Sequence, residues 1–287
     1  MNSVIPRDKV LEGLVFLDGA DFPTYYSRGA KTRAERLSTI AAHSVDFIRE
    51  FFTAQIQTKL LVLNEEDMTQ RIEAPYGLIH GEHNIVWYPV CEEDNPVYLA
   101  MMPYYENSPS SLSKTLAELL PYSEAPFLTA CVIWWDTYLA HEMFHNYSLA
   151  DGVQIRLRWF DELFGDYINY AYLRRYAHLY PTELKVSGLL FELIYQGGRL
   201  LVRHTSLKDF EELYTGVGAA NYAWYHGWFN MGVFELYELF GEYFISQVID
   251  LYKSESGFDA TGNTLATRLE GVCPGFHNWY LAWKQQK

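Results

Sequence analysis

Residues 126–167 read PFLTACVIWWDTYLAHEMFHNYSLADGVQIRLRWFDELFGDY, and this stretch decides how the rest of the chain is read. Pro126 opens an apolar run that continues to about Ser148. A proline suits an early helical position, because the amide it lacks would have no partner there. Asp151 and Gly152 break that helix, and helical spacing resumes at Leu157 and holds to Tyr180, where Pro181 stops it. One long helix over 126–148 and a second over 157–180 are the expectation.

Inside the first helix stands His141-Glu142-Met143-Phe144-His145. Histidines at i and i+4 project from one helical face and can share a metal ion, and the glutamate between them can reach a metal-bound water. A catalytic zinc takes three protein ligands and keeps one position open, and a carboxylate is a common third ligand. Glu162 on the second helix is the candidate, and Asp166, one turn further on the same face, is placed to hydrogen-bond a ligand histidine. Two helices joined by a short loop can pack antiparallel and bring both faces together.

Working outward, Phe22–Ser27 is a short β-prone run, and Lys31–Ala54 spaces Leu37, Ile40, Ala41, Val45, Ile48, Phe51 and Phe52 at helical intervals. Leu60–Leu63 is an apolar run bounded by Asn64, Glu65 and Glu66. Tyr76–His80 and Ile85–Val90, separated by Gly81, Glu82, His83 and Asn84, read as a β-hairpin. Asn107–Ser113 reads as a loop. Beyond Pro181, helical segments alternate with breaks at Gly197, Gly198, Gly216, Gly218 and Gly241, with no strand. The expected fold class is α+β: a mixed α/β lobe over 1–150, with three or four strands and two helices, and a helical lobe over 151–287.

Composition narrows the function. A net charge of -14 leaves no basic stripe to neutralise phosphates, so nucleic acid and anionic membrane surfaces are disfavoured. Cys91, Cys131 and Cys273 match neither a CxxC metal site nor a dense disulfide framework. Met1–Lys9 carries charge where a signal peptide is apolar, and no window reaches the length of a membrane span. A cytoplasmic protein is the expectation.

An HExxH helix followed by a helix with the pattern aromatic-x-x-Glu-x-x-x-Asp resembles the gluzincins, the thermolysin-like zinc metallopeptidases, and particularly their "peptidase MA-like" set. The order strand, long helix, strand, hairpin, active helix, glutamate helix is similar from Phe22 to Tyr180. Tyr225–Gly241 resembles the family's Tyr/Gly segment, and Thr264–Lys284 its closing Trp-containing helix. The resemblance implies a zincin-like fold, Zn2+ held by His141, His145 and Glu162, Glu142 as general base and Asp166 as the partner of His141. It implies an oxyanion stabiliser among Tyr222, Tyr225 and His226, with Tyr225 favoured and His226 next. It places a substrate-aligning edge strand in Tyr76–Glu82, and a peptide or protein as the substrate.

Plainer readings stand beside these. Glu162 and Asp166 also fit an acidic i, i+4 pair answering Arg158 and Arg174. Tyr222, Trp224, Tyr225, Trp228 and Phe229 fit core packing as well as a substrate-facing wall. His80 and His83, near Glu82, are assigned no ligand role. His43, His178, His204 and His277 read as structural or surface residues. Two histidines and a carboxylate also suit non-haem iron, and a non-proteolytic metalloenzyme or a binding module on the same scaffold is the alternative function.

Overall fold

The computed structural model describes residues 9–255 and 257–286. The charged run Met1–Lys9 falls, apart from Lys9, outside those residues. No helix among them is long and apolar enough to cross a membrane. The fold is α+β, predominantly helical, with one small mixed sheet.

The sheet holds β1 (Val15–Phe16), β2 (Thr24–Tyr26), β3 (Lys59–Leu63), β4 (His80–Glu82) and β5 (Ile85–Pro89) in the order β1-β2-β3-β5-β4. The three central strands are parallel and the two edges antiparallel to their neighbours. The helix α1 (Lys31–Ile48) connects β2 to β3, as a parallel pair requires. Alternation along the strands sorts the two faces. Leu60, Val62, Val86 and Tyr88 join the main core with α1, whereas Leu61, Leu63 and Trp87 pack with Met68 of α2 (Glu65–Arg71) and with Ile72 in a smaller cluster.

The hairpin forms one step later than the sequence reading placed it. His80–Glu82 is the strand and Tyr76–Ile79 is not, and the connection is His83-Asn84 alone. Both turn residues have positive φ, 52° and 62°, the conformation a two-residue hairpin turn demands for its twist to match the strands. Asn146 holds the hairpin, accepting from the Asn84 amide at 2.9 Å and donating to the Ile85 carbonyl.

Two further helices, α3 (Pro96–Asn107) and α4 (Ser110–Leu119), fill the region read as a loop around Asn107–Ser113. The expected helix over 126–148 is two: α5 (Pro126–Thr137) and α6 (Leu139–Ala150). At Tyr138 (φ -74°, ψ 0°) the ladder tightens, and the His141 amide bonds the Tyr138 carbonyl three residues back. The turn at Asp151-Gly152, with Gly152 at φ 77°, leads into α7 (Arg158–Arg175). That helix stops at Arg175, short of the expected 180, and Pro181 opens α8 (Pro181–Gly198) instead of ending α7.

The remaining helices are α9 (Leu207–Leu213), α10 (Ala219–Phe240), α11 (Tyr243–Ser254), α12 (Gly262–Val272) and α13 (Phe276–Trp283). The boundary near residue 150 does not separate two cores. α8 packs on α3, α4 and α5 as well as on α10, and one apolar cluster runs from Leu17 to Trp283.

Candidate metal centre

α6 lies between α1 and the sheet edge on one side and α7 on the other. Its first two turns carry the HExxH residues, and the packing onto α7 turns them toward Glu162 and Asp166. Ligand atoms of His141, His145 and Glu162 lie within 4.8 Å of one another. His141 Nε2 is 3.0 Å from His145 Nε2 and 3.2 Å from Glu162 Oε2, and His141 Nδ1 is 3.0 Å from Asp166 Oδ1. His141, Glu162 and Asp166 are buried, while His145 and the cleft side remain partly accessible. The acidic-pair reading is not what the structure displays. Arg158 bonds Glu211 and Arg174 bonds Glu238, leaving Glu162 and Asp166 to the histidines.

The donor set fits a cation. With the His141 Nδ1 hydrogen given to Asp166, the Nε2 lone pair faces a carboxylate oxygen and a second imidazole nitrogen. Three acceptors then converge in a buried space, an arrangement unfavourable without a positive charge among them. In the metal-free protein a proton supplies that charge. Burial alone would lower the His141 pKa, but its bonds to Asp166 and Glu162 outweigh burial and push it up to about 10. Burial and the neighbouring His141 charge lower His145 to about 4. Glu162 and Asp166 are held below the usual carboxylate range, the histidines overcoming the opposing effect of burial.

Asp166 is the hub. Its Oδ1 receives His141 and the Tyr138 hydroxyl, and its Oδ2 receives His226 Nδ1 at 2.9 Å and the Asn230 amide at 2.8 Å. Tyr138 also stacks on His141, with centroids 4.3 Å apart. The Tyr214 hydroxyl donates to Glu162 Oε1, and Asp161 Oδ2 stands 3.5 Å from His145 Nδ1. The motif reading missed Tyr138, Tyr214, Asp161 and Asn230. Asp161 is adjacent to Glu162, Tyr138 stands three residues before His141 and Asn230 four after His226, so each had a local signal, whereas Tyr214 had none.

Tyr138, His141, His145, Asp161, Glu162, Tyr214 and His226 line a cleft of about 1430 Å³, with Asp166 and Asn230 buried behind them. One wall is β4 with its turn, His80–Asn84; the other includes Tyr214, Thr215, Ala219, Tyr222 and His226. Glu142 opens onto it, its carboxyl pushed up by burial against the opposing influence of His141 and His80. β4 presses closely on α6: a Cβ at Gly81 would lie 2.3 Å from the Glu142 carbonyl oxygen. His80 and His83 lie 3.7 and 3.6 Å from Glu82 and stand outside the ligand cluster.

Of the three oxyanion candidates, Tyr225 must be corrected. It is fully buried, donates to the Ser206 carbonyl at 2.8 Å and does not line the cleft. Tyr222 and His226, four residues apart on α10, share the cleft-facing side. The aromatic cluster thus divides between the two readings, with Tyr222 on the wall and Trp224, Tyr225, Trp228 and Phe229 in the core.

No family model, curated protein or solved structure matches the chain. The site's own chemistry carries the functional reading.

Proposed function

We propose that this chain is a zinc metallopeptidase of the gluzincin type on a zincin-like fold, hydrolysing peptide bonds in a peptide or protein substrate. The observation that carries the proposal is the convergence of His141, His145 and Glu162 within 4.8 Å at the floor of a cleft that Glu142 also faces. A binding module needs no carboxylate beside such a centre; hydrolysis does. A cytosolic setting belongs to the same reading, and the unpaired, buried Cys91, Cys131 and Cys273 suit it.

Zinc bound by the three ligands supplies Lewis acidity, lowering the pKa of a water and polarising a carbonyl. Glu142 accepts the proton of the attacking water and delivers it to the leaving amine. Tyr222 is the neutral donor for the negative charge that develops on the carbonyl oxygen, with His226 beside it on the same face of α10. Asp166 orients His141 and His226 together. β4 is an edge strand, and an extended peptide added to its outer edge would lie along the wall of the cleft.

The test is metal content per chain by elemental mass spectrometry, on protein purified without chelators or metal-affinity resin. Near one zinc in the wild type, sharply reduced in Glu162→Ala, supports the centre. A peptide library cleaved by wild type but not by Glu142→Gln, with zinc retained in that variant, supports the peptidase. A wild type that takes up no metal when zinc is supplied refutes both.

A further inference from the structure

Tyr214 belongs to none of the motif positions on which the proposed metal centre rests, yet among the described residues it is the one non-glycine residue with positive φ outside the His83-Asn84 hairpin turn. It follows α9 with φ 50° and ψ -122°, a region that glycine enters freely and that strains a residue bearing a Cβ. Glycines stand nearby at Gly216 and Gly218, but the strained position holds a tyrosine. Such strain persists only where the surroundings over-determine it.

The surroundings are specific. The Tyr214 ring packs edge-on against Phe210 and Tyr222, at 5.7 and 5.8 Å, and the Arg158 guanidinium lies 5.3 Å from its centroid. The hydroxyl is thereby delivered to Glu162 Oε1. The other oxygen, Oε2, is the one 3.2 Å from His141 Nε2 and 3.6 Å from His226 Nε2. The two oxygens of the third ligand are therefore distinguished, one engaged by Tyr214 and one aimed at the histidines.

We propose that Tyr214 is the positioning residue of Glu162, and that its hydrogen bond fixes the carboxylate so that Oε2 alone is presented to the metal. Without the hydroxyl, Oε1 is left unpaired in a buried site, and the carboxylate is free to rotate or to offer both oxygens. The inference rests on the metal-centre reading above but not on peptidase activity.

The experiment uses the full chain, metal-free, as wild type, Tyr214→Phe, Tyr214→Gly and Tyr225→Phe. Zinc affinity is read by competition with a chromogenic chelator, and ligand geometry by the visible absorption of the cobalt-substituted protein. Tyr214→Phe keeps the ring and its packing, and is expected to weaken zinc binding about 10- to 100-fold, the usual effect of removing a partner from a metal ligand, and to alter the cobalt bands. Tyr214→Gly removes strain and hydroxyl together and is expected to show the same weakening. Tyr225→Phe, which loses a hydroxyl bonded to Ser206 instead, is expected to match wild type.

Wild-type affinity and cobalt bands in Tyr214→Phe overturn the inference while leaving the metal centre intact. Recovery of wild-type affinity in Tyr214→Gly also overturns it, because backbone strain and not the hydroxyl would then be the cause. A wild type that binds neither zinc nor cobalt overturns it along with the centre. Zinc binding that weakens in Tyr214→Phe, in a protein that cleaves no peptide, supports it and removes only the peptidase reading.

Discussion

Gly165 lies between Glu162 and Asp166 on α7, and a Cβ there would stand 2.7 Å from Cε1, 2.8 Å from Nδ1 and 3.0 Å from Nε2 of His141. The imidazole rests on the bare backbone of the helix that carries its two partners. Gly165→Ala must therefore displace either the ring or the helix. With propensity favouring alanine in a helix by about 1 kcal/mol, overall stability is expected to change little, while zinc affinity measured by chelator competition falls about tenfold or more. The pH dependence also belongs to His141. In the metal-free protein its pKa is raised from 6.5 to about 10, so at neutral pH zinc must displace a proton. Titration calorimetry in buffers of different ionisation enthalpy is expected to show about one proton released, and affinity is expected to rise about tenfold per pH unit from neutral toward pH 10. The sign for stability follows from the same shifts. The raised His141 pKa contributes stability to the metal-free fold that is complete below 6.5 and lost as pH rises through about 10. The depressed Glu162 pKa contributes stability present above 4.5 and lost on acidification below it. Unaltered zinc affinity between pH 6 and 9 would contradict this account.

At the scale of elements, α10 shows how much a helical face decides. Tyr222 and His226 are one turn apart and meet the cleft, while Tyr225, about 100° around the helix from its neighbour His226, is turned into the core. Tyr222→Phe is expected to lower kcat by about 10²- to 10³-fold with little change in KM, the effect of removing an oxyanion donor. Tyr225→Phe is expected to leave kcat unchanged, and steady-state kinetics on one library-derived peptide separates the two. The elements themselves were unevenly legible. β3, α1 and the helix of the HExxH motif carry apolar residues at the period of their structure and stood out. α2 has only two turns and is set by its cap, Asn64 accepting from the Asp67 amide at 2.8 Å. α3 contains Pro103 and starts from an Asn95 cap, so neither gives a clean period. The hairpin register slipped because its turn uses His83 and Asn84 rather than the glycine that the sequence offers at Gly81, and Gly81 is needed instead where β4 meets the Glu142 carbonyl.

For the whole molecule, the apolar cluster crossing residue 150 packs the two sequence halves into one continuous core. A single thermal transition is expected, coincident by far-UV circular dichroism and tryptophan fluorescence, and residues 1–150 expressed alone are expected to lack fixed near-UV signals, since α3, α4 and α5 would lose α8. Zinc at a hundred times its dissociation constant adds about 2.7 kcal/mol to the folded state, a rise in Tm of roughly 5 °C for a chain of this size. Two separated transitions, or a zinc-independent Tm, would show that the centre is not integral to that core.

The sequence alone placed His141 and His145 on one helical face, with Glu142 beside them, and Glu162 and Asp166 on another, because residues three or four apart on a helix must share a face whatever surrounds it; that the two faces meet, so that His141, His145 and Glu162 could hold a metal ion, is the work of the packing of α6 on α7. It also determined an α+β chain with its strands confined to the first half. Only the tertiary structure decided that Tyr138 interrupts the long helix, that Tyr214 reaches Glu162, that Asp166 serves His226 as well as His141, and that Tyr222 and not Tyr225 faces the cleft. Those facts depend on the rotation and approach of α6, α7 and α10, which is fixed by side-chain packing between segments far apart in the chain, and no local period encodes it.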